Sequence, residues 1–235
     1  MPDEVLRISN LHAWYGESHV LHGVALTVNK GEVVTLLGRN GAGRTSTLKS
    51  ILGLTGRRTG SIVVNGVETI AWPTYRIAHL GIGYVPEERG IFSSLSVEEN
   101  LTLPPEIARG GMSVEEIYEM FPNLRERRKT AQGTKLSGGE QQMLAMARIL
   151  RTGARLLLLD EITEGLAPVI VQALARVIVK LKERGFTIVL VEQNFRFAAP
   201  LADRHYVMEH GRIAESFAAA ELAAKTTMLH EYLGV

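Results

Sequence analysis

A glycine-rich turn between an apolar run and a helical pattern restricts the fold more than any other feature of the sequence. The run Val33–Leu37 predicts a strand buried on both faces, and the turn Gly38–Thr45, GRNGAGRT, follows it directly. After the turn, Leu48, Ile51 and Leu52 recur at helical spacing. The order strand, glycine turn, helix is typical of an α/β protein in which the turn lies at the carboxyl end of a parallel strand.

The turn has the spacing of a phosphate-binding loop. Its glycines allow successive backbone N–H groups to face one concavity, and the helix N-terminus adds a partial positive charge. Thr45 is placed to offer its hydroxyl to Mg²⁺. The alternative is a glycine turn that binds nothing, and the flanking strand and helix argue against it. The residues predicted to contact a nucleotide are Gly38, Arg39, Asn40, Gly41, Ala42, Gly43, Arg44, Thr45 and Ser46.

One position in this loop departs from the usual pattern, because Arg44 stands where a Lys is expected. Arginine keeps the positive charge, but its guanidinium is planar, longer and has a fixed fork of donors. It is able to clamp two phosphate oxygens or to fit badly in a slot shaped for an ammonium group. We therefore expect nucleotide binding to be retained, whereas the rate of hydrolysis is left open.

Two carboxylates follow a second apolar run. Leu156–Leu159 predicts another buried strand, and Asp160 and Glu161 come directly after it. Ligands of open α/β sheets bind at this edge, where Asp160 would hold Mg²⁺. Strand alternation places Glu161 on the other side, as the candidate that activates the attacking water. The alternative is that both acids end a strand and face solvent.

A second potential anion site lies at Leu136–Gln142, LSGGEQQ. Ser137 and Glu140 have capping-box spacing, and Gly138 and Gly139 expose backbone N–H groups in the first helical turn. Since the first loop already supplies one phosphate site, a second suggests a site completed by another chain. The alternative is a well-capped surface helix.

The composition argues against a nucleic-acid-binding protein, a disulfide-bonded protein and a membrane-spanning protein. Lys plus Arg is 26 and Asp plus Glu is 25, which argues against nucleic acid as the main partner. The absence of cysteine excludes disulfides and thiol chemistry. The acidic, polar N-terminus is unlike a signal peptide, and no apolar run is long enough to span a bilayer. We expect a soluble chain whose membrane role, if any, depends on a partner.

The apolar run Ile188–Val191 predicts another strand of the parallel sheet. The rest of the sequence predicts two further regions around that sheet. Short strands separated by glycine turns indicate an antiparallel sheet near the N-terminus, and few strand signals occur between about Glu88 and Leu150. This second segment is interpreted as an inserted helical lobe, with a capping box at Ser113–Glu116. Pro168 begins a later helix that Gly185 ends, and the tail from Ala218 is predicted to be helical. The predicted antiparallel strands are Leu6–Leu11, Val24–Val28 and Ser61–Val64.

Taken in order, the phosphate loop, LSGGEQQ and LLLLDE resemble the motif set of ABC-transporter ATPases, and the resemblance covers nearly the whole chain. It implies a P-loop NTPase of α/β class with a mixed or parallel core sheet, an antiparallel β subdomain and an inserted α-helical subdomain at about 88–150, all within a single domain, 1–235. It further implies a head-to-tail dimer in which each ATP lies between one chain's loop and the other chain's Ser137, Gly138, Gly139 and Glu140.

The resemblance assigns roles to four more positions. Tyr15 matches the aromatic residue that stacks on adenine, although a buried strand aromatic is the alternative. Glu87 falls where most members carry a Gln that senses Mg²⁺, so the predicted metal residues are Thr45, Glu87 and Asp160. Gln193 falls where most carry a catalytic His, and it joins Glu161 as a predicted catalytic residue. The segment Glu164–Ala167 matches the loop that contacts the partner protomer.

Three segments resemble the ATPases of branched-chain amino-acid importers: Pro86-Glu87, Val191–Asn194 and Gly165–Pro168. The resemblance implies ATP and Mg²⁺ as cofactors, a peripheral location at the cytoplasmic face of the inner membrane, and three kinds of partner: permease subunits, an identical or sister ATPase, and an external solute-binding protein. Alternatives are a nucleotide-binding dimer partner with little hydrolysis, an importer ATPase for urea or amides, and an ABC protein without a permease. The last usually carries insertions or a second ATPase domain, for which this chain has no room.

Overall fold

Two β-sheets organise the chain in a computed structural model that describes residues 3–129 and 132–233. The first sheet is antiparallel, in the order β2-β1-β4-β5. The second has the order β10-β9-β3-β8-β7-β6. The strands are β1 (Glu4–Tyr15), β2 (Ser18–Asn29), β3 (Val33–Leu37), β4 (Arg57–Val64), β5 (Val67–Glu68), β6 (Ile82–Val85), β7 (Leu156–Asp160), β8 (Thr187–Glu192), β9 (Arg204–Glu209) and β10 (Arg212–Ala218).

The six-stranded sheet is parallel except at one edge. Strands β9, β3, β8, β7 and β6 pair in parallel, and β10 pairs antiparallel with β9. Every residue of β3, β7 and β8 is buried, which explains why these strands read as continuous apolar runs. The predicted mixed α/β core with a separate antiparallel sheet is confirmed.

The antiparallel strands extend further than the sequence indicated. Strands β1 and β2 continue to a hairpin in which Tyr15 pairs with Ser18. Their pairing is interrupted by a bulge near Asn10, which has a left-handed φ of 49°. Gly60 lies against this bulge, and a Cβ there would come within 2.3 Å of the Asn10 carbonyl oxygen. The bulge interrupts the alternation of apolar and polar residues along β1, so the sequence pattern predicts a shorter strand.

The helices lie mainly between and after the strands of the second sheet. In the described part of 88–150, the chain forms helices and a 3-10 turn, Gly133–Lys135, with no strand. Capping boxes are present at Ser113 and Ser137, as predicted, and also at Ser96. The helices are α1 (Arg44–Ile51), α2 (Thr74–Ala78), α3 (Val97–Thr102), α4 (Val114–Met120), α5 (Pro122–Glu126), α6 (Gly138–Arg151), α7 (Pro168–Glu183), α8 (Phe195–Ala198) and α9 (Leu222–Leu233).

Alternation along β7 divides the core into two layers. Leu156 and Leu158 pack on the side of α1 and the antiparallel sheet, whereas Leu157 and Leu159 pack on the side of α6 and α7. The tail begins as the end of β10, continues as a 3-10 turn at Ala219–Glu221 and becomes α-helical from Leu222, so most of the predicted helix from Ala218 is present. The last two residues lie outside the described part. Among the described residues, no helix has both the length and the apolar character that crossing a membrane requires.

Candidate functional site

The glycine loop after β3 has a backbone that other residues would strain. Gly41 and Gly43 have φ values of 81° and 106°. A Cβ on Gly43 would approach Leu21 Cδ2 to 2.8 Å, so the β1–β2 sheet packs directly against the loop. The Gly211 N–H donates to the Ala42 carbonyl at 2.9 Å and fixes the loop from the other side. The loop is therefore held rigidly in one conformation.

The N-terminus of α1 is built to meet an anion. Gly43 is its N-cap, no described side chain caps it, and its first turn contains no acidic residue. Such a helix end presents unsatisfied N–H groups and the positive end of the helix dipole. A cleft of about 410 Å³ opens here, lined by Val20, Asn40, Gly41, Ala42, Gly43, Arg44, Thr45, Ser46, Glu87, Glu161 and Glu164.

Arg44 is folded back into the loop. Its side chain is only 3% exposed, and its Nη2 donates to Glu161 Oε1 at 2.6 Å and to Asn40 Oδ1 at 3.1 Å. Its Nη1 is buried and has no hydrogen-bond partner within the described residues. An unpaired buried donor is costly, and an anionic oxygen in the cleft would satisfy it.

Asp160 lies at the base of the site. It is 1% exposed, and its two oxygens accept hydrogen bonds from different elements. The Thr45 hydroxyl donates to Oδ1 at 3.0 Å, and the Tyr84 hydroxyl donates to Oδ2 at 2.9 Å. Burial raises the pKa of Asp160, and these two hydrogen bonds oppose the shift. The structure thus brings together the predicted metal residues Thr45 and Asp160.

Glu161 follows the strand in a left-handed conformation, with φ 45°. Strand alternation ends here, so its carboxylate turns towards Arg44, while its N–H donates to the Val191 carbonyl at 2.9 Å. Burial raises the pKa of Glu161, Arg44 opposes the shift, and Glu164 adds to it. Glu87 lies in the same cleft, where burial and a hydrogen bond with Glu164 raise its pKa.

Several predicted site residues do not line this cleft. Tyr15 ends β1 with 41% of its surface exposed, and Gln193 is exposed directly after β8. Gly38 and Arg39 belong to the loop but do not line this cleft, and Arg39 lines a neighbouring cavity with Met208 and Glu209. The four predicted residues of the LSGGEQQ segment lie at the N-terminus of α6 and contribute nothing to the cleft of their own chain: Ser137, Gly138, Gly139 and Glu140.

The N-terminus of α6 is closely packed behind its exposed serine. A Cβ on Gly139 would approach Ile170 to 2.8 Å, and one on Gly138 would lie 3.1 Å from the Arg89 guanidinium. Ser137 itself is exposed. Packing against Ile170 therefore leaves no room for a side chain at Gly139, while the capped end of the helix at Ser137 is exposed.

Sequence analysis missed two contacts that hold the site. The first is the Tyr84–Asp160 hydrogen bond. In the second, the 2% exposed Glu192 accepts from the Thr163 N–H at 3.1 Å and from its hydroxyl at 3.0 Å. Burial raises the pKa of Glu192 to about 7. The available signal was a carboxylate that ends the apolar run of β8; its partner lies in a loop 29 residues away.

A family model described as ABC transporter matches residues 21–164, more than half of the chain. The chain belongs to the ABC transporter ATPase family. The predicted family is thus confirmed, and with it the assignment as an ATP hydrolase.

Sequence similarity to known proteins extends over almost the whole of this ABC ATPase. It is 41% identical to the high-affinity branched-chain amino acid transport ATP-binding protein BraG of Pseudomonas aeruginosa, over 98% of this chain and 100% of that protein. It is 38% identical to the probable branched-chain amino acid transport ATP-binding protein LivF of Archaeoglobus fulgidus, over 93% and 94%. It is 32% identical to the lipopolysaccharide export system ATP-binding protein LptB of Escherichia coli, over 97% of each.

Solved structures share the fold of this ABC ATPase. An ATP-binding subunit of an ABC transporter is 27% identical, with a TM-score of 0.81 over 98% of this chain and 100% of that one. A dimeric, post-hydrolysis ATP-binding cassette bound to ADP and Pi is 25% identical, with a TM-score of 0.78 over 91% and 98%.

Proposed function

We propose that this ABC ATPase powers the uptake of branched-chain or other hydrophobic amino acids. The observation that carries the ATPase chemistry is the buried Arg44, whose unpaired Nη1 lies at the uncapped end of α1 beside Asp160 and Glu161. The identities to the two amino-acid transport relatives, 41% and 38%, exceed the 32% to the lipopolysaccharide exporter and favour import of an amino acid.

The residues present fit a nucleotide with its metal. Loop N–H groups and Arg44 would hold the phosphates, and the exposed ring of Tyr15 would stack on the base. Thr45 and Asp160 would hold Mg²⁺, with Glu87 sensing it. Mg²⁺ bound with a nucleotide usually takes one or two protein carboxylates and keeps several waters, a requirement that Asp160 with Thr45 would meet. When bound, Mg²⁺ would supply positive charge that neutralises the charge developing on the phosphates.

Glu161 is the residue that would accept the proton of the attacking water. Its raised pKa reflects its burial, and Arg44 keeps a compensating charge beside it. Gln193 would donate from its amide to a phosphate oxygen, but unlike histidine it carries no titratable proton near neutral pH. Positioning and charge would therefore supply most of the rate enhancement, with Glu161 as the one general base proposed.

The dimer is supported by the separation of the two anion sites. Ser137 and its neighbours lie outside the cleft of their own chain, so we infer that they close over ATP bound to a second protomer, either identical or a sister ATPase. Within a single domain, 1–235, the helical subdomain at about 88–150 would pass this closure to a permease at the cytoplasmic face of the inner membrane. An external solute-binding protein would complete the importer.

Uptake measurements test the solute class. Cells that lack this protein are complemented with the wild type or with Glu161→Gln, and the uptake of radiolabelled leucine and of urea is measured. We expect the Glu161→Gln cells to lose at least about ten-fold in leucine uptake, because loss of the proposed base stops turnover, while urea uptake stays unchanged. Loss of urea uptake with normal leucine uptake would instead assign the importer to urea or amides.

A further inference from the structure

The carboxylate of Asp160 is held at both of its oxygens by two different elements. Thr45, at the start of α1, donates to Oδ1 at 3.0 Å. Tyr84, on the neighbouring strand β6, donates to Oδ2 at 2.9 Å. The proposed catalytic site uses Thr45 and Asp160 but assigns no role to Tyr84.

The register between β6 and β7 explains why the Tyr84 hydroxyl reaches Asp160. Tyr84 pairs with Leu158, and Leu158 and Asp160 point to the same face of β7. The ring packs against the core layer that contains Leu156 and Leu158, so its hydroxyl reaches along the sheet to the residue that ends β7. A tyrosine phenol is protonated at neutral pH, so it donates to the carboxylate oxygen, which accepts.

A buried carboxylate with one donor would be free to rotate about its χ2 torsion, which is broad for aspartate. With donors on both oxygens, its plane is fixed. Metal-binding groups commonly depend on such outer hydrogen bonds, and loss of one typically weakens metal affinity 10- to 100-fold.

We propose that Tyr84 is a positioning residue for Mg²⁺: its hydroxyl fixes the Asp160 carboxylate so that Oδ1 and the Thr45 hydroxyl face the metal together. This inference rests on the proposed role of Asp160. It assigns to Tyr84 no contact with nucleotide or metal, so Tyr84 acts only through Asp160.

The test separates metal-dependent from metal-independent nucleotide binding. ADP affinity is measured by calorimetry in Mg²⁺ and in EDTA for the wild type, Tyr84→Phe and Tyr206→Phe. Tyr206 is a suitable control because its hydroxyl bonds to the Thr27 carbonyl, away from the cleft. We expect the gain in affinity from Mg²⁺ to fall 10- to 100-fold in Tyr84→Phe, with EDTA affinities within about two-fold, and to be unchanged in Tyr206→Phe.

Each outcome decides a different point. If the wild type shows no gain from Mg²⁺, the proposed metal role of Asp160 fails. If the wild type shows it and Tyr84→Phe keeps it, the inference about Tyr84 is wrong. Equal weakening with and without Mg²⁺ would show a merely structural role and would also overturn it. Should Tyr84→Phe not fold, Tyr84→Met removes the same donor with an adaptable side chain.

Discussion

Arg44 is the residue at which the phosphate loop departs from the common pattern, and the structure shows what the larger side chain does. Its guanidinium reaches Glu161 as well as Asn40, so the proposed base is tied to the loop in an ion pair whose side chains are 3% and 12% exposed. An ion pair this well shielded from water is strengthened by the low local dielectric. Because this contact uses Nη2, the Nη1 group, which has no partner among the described residues, is left to bind a phosphate oxygen.

Arg44→Lys is therefore expected to leave turnover unchanged or to raise it by up to about five-fold, because a compact ammonium fits the loop and holds Glu161 less firmly. Phosphate release at saturating ATP and Mg²⁺ measures the effect. Arg176→Lys is the matched control, since it makes the same substitution at an exposed position of α7 that does not line the cleft. A loss of more than ten-fold in Arg44→Lys would show instead that the loop is built around arginine.

Glu192 makes folding stability depend on pH. Burial raises its pKa to about 7 in the folded protein, from an ordinary value of 4.5. Between these values the folded state binds more protons than the unfolded state, so stability falls as pH rises through this window. Glu192→Gln removes the buried charge and keeps an acceptor for Thr163.

For Glu192→Gln, the free energy of unfolding is expected to rise by about 1–3 kcal/mol at pH 8 and by less than about 1 kcal/mol at pH 5. Urea denaturation at the two pH values measures this difference. Glu183→Gln, an exposed carboxylate at the end of α7, provides the control and should change little. Equal changes at both pH values for Glu192→Gln would contradict the assignment.

At the scale of elements, the sequence predicted those whose pattern is set locally. Strands β3, β7 and β8 are buried along their whole length, so each is a continuous apolar run that predicts a strand. Capping boxes fixed the starts of α4 and α6, because the Ser and Glu that form them lie three residues apart.

Elements that depend on contacts with residues far away in sequence could not be predicted from the local pattern. Strand β9 contains the fully buried His205, whose Nδ1 lies 2.7 Å from the Thr35 hydroxyl, 170 residues away. Nothing near His205 in sequence indicates that partner. The same holds in the site: the Arg44–Glu161 pair spans 117 residues and the Tyr84–Asp160 bond spans 76. Motifs indicated which residues matter, whereas their contacts depend on the order of strands in the sheet.

For the whole molecule, the two proposed anion sites of one chain lie in different parts of the described structure and do not share one cleft. The cleft at α1 is lined by the loop and by acids that follow β6 and β7, and no described residue of α6 reaches it. The N-terminus of α6 carries a capping box whose serine is exposed. A nucleotide bound in the cleft thus leaves one face for a second chain, and the N-terminus of α6 has the electrostatic character to cover it.

Ser137→Asp tests this arrangement, because aspartate caps a helix as well as serine but adds a negative charge where the partner's phosphate would lie. In a Glu161→Gln background with ATP and Mg²⁺, light scattering should show dimers for the parent and at least about ten-fold weaker dimerisation for Ser137→Asp, owing to charge repulsion at a desolvated contact. Nucleotide affinity of the monomer should be unchanged. Ser113→Asp makes the same substitution in the capping box of α4 and should dimerise normally. If Ser137→Asp dimerises as well as Ser113→Asp, the N-terminus of α6 does not face the partner's nucleotide.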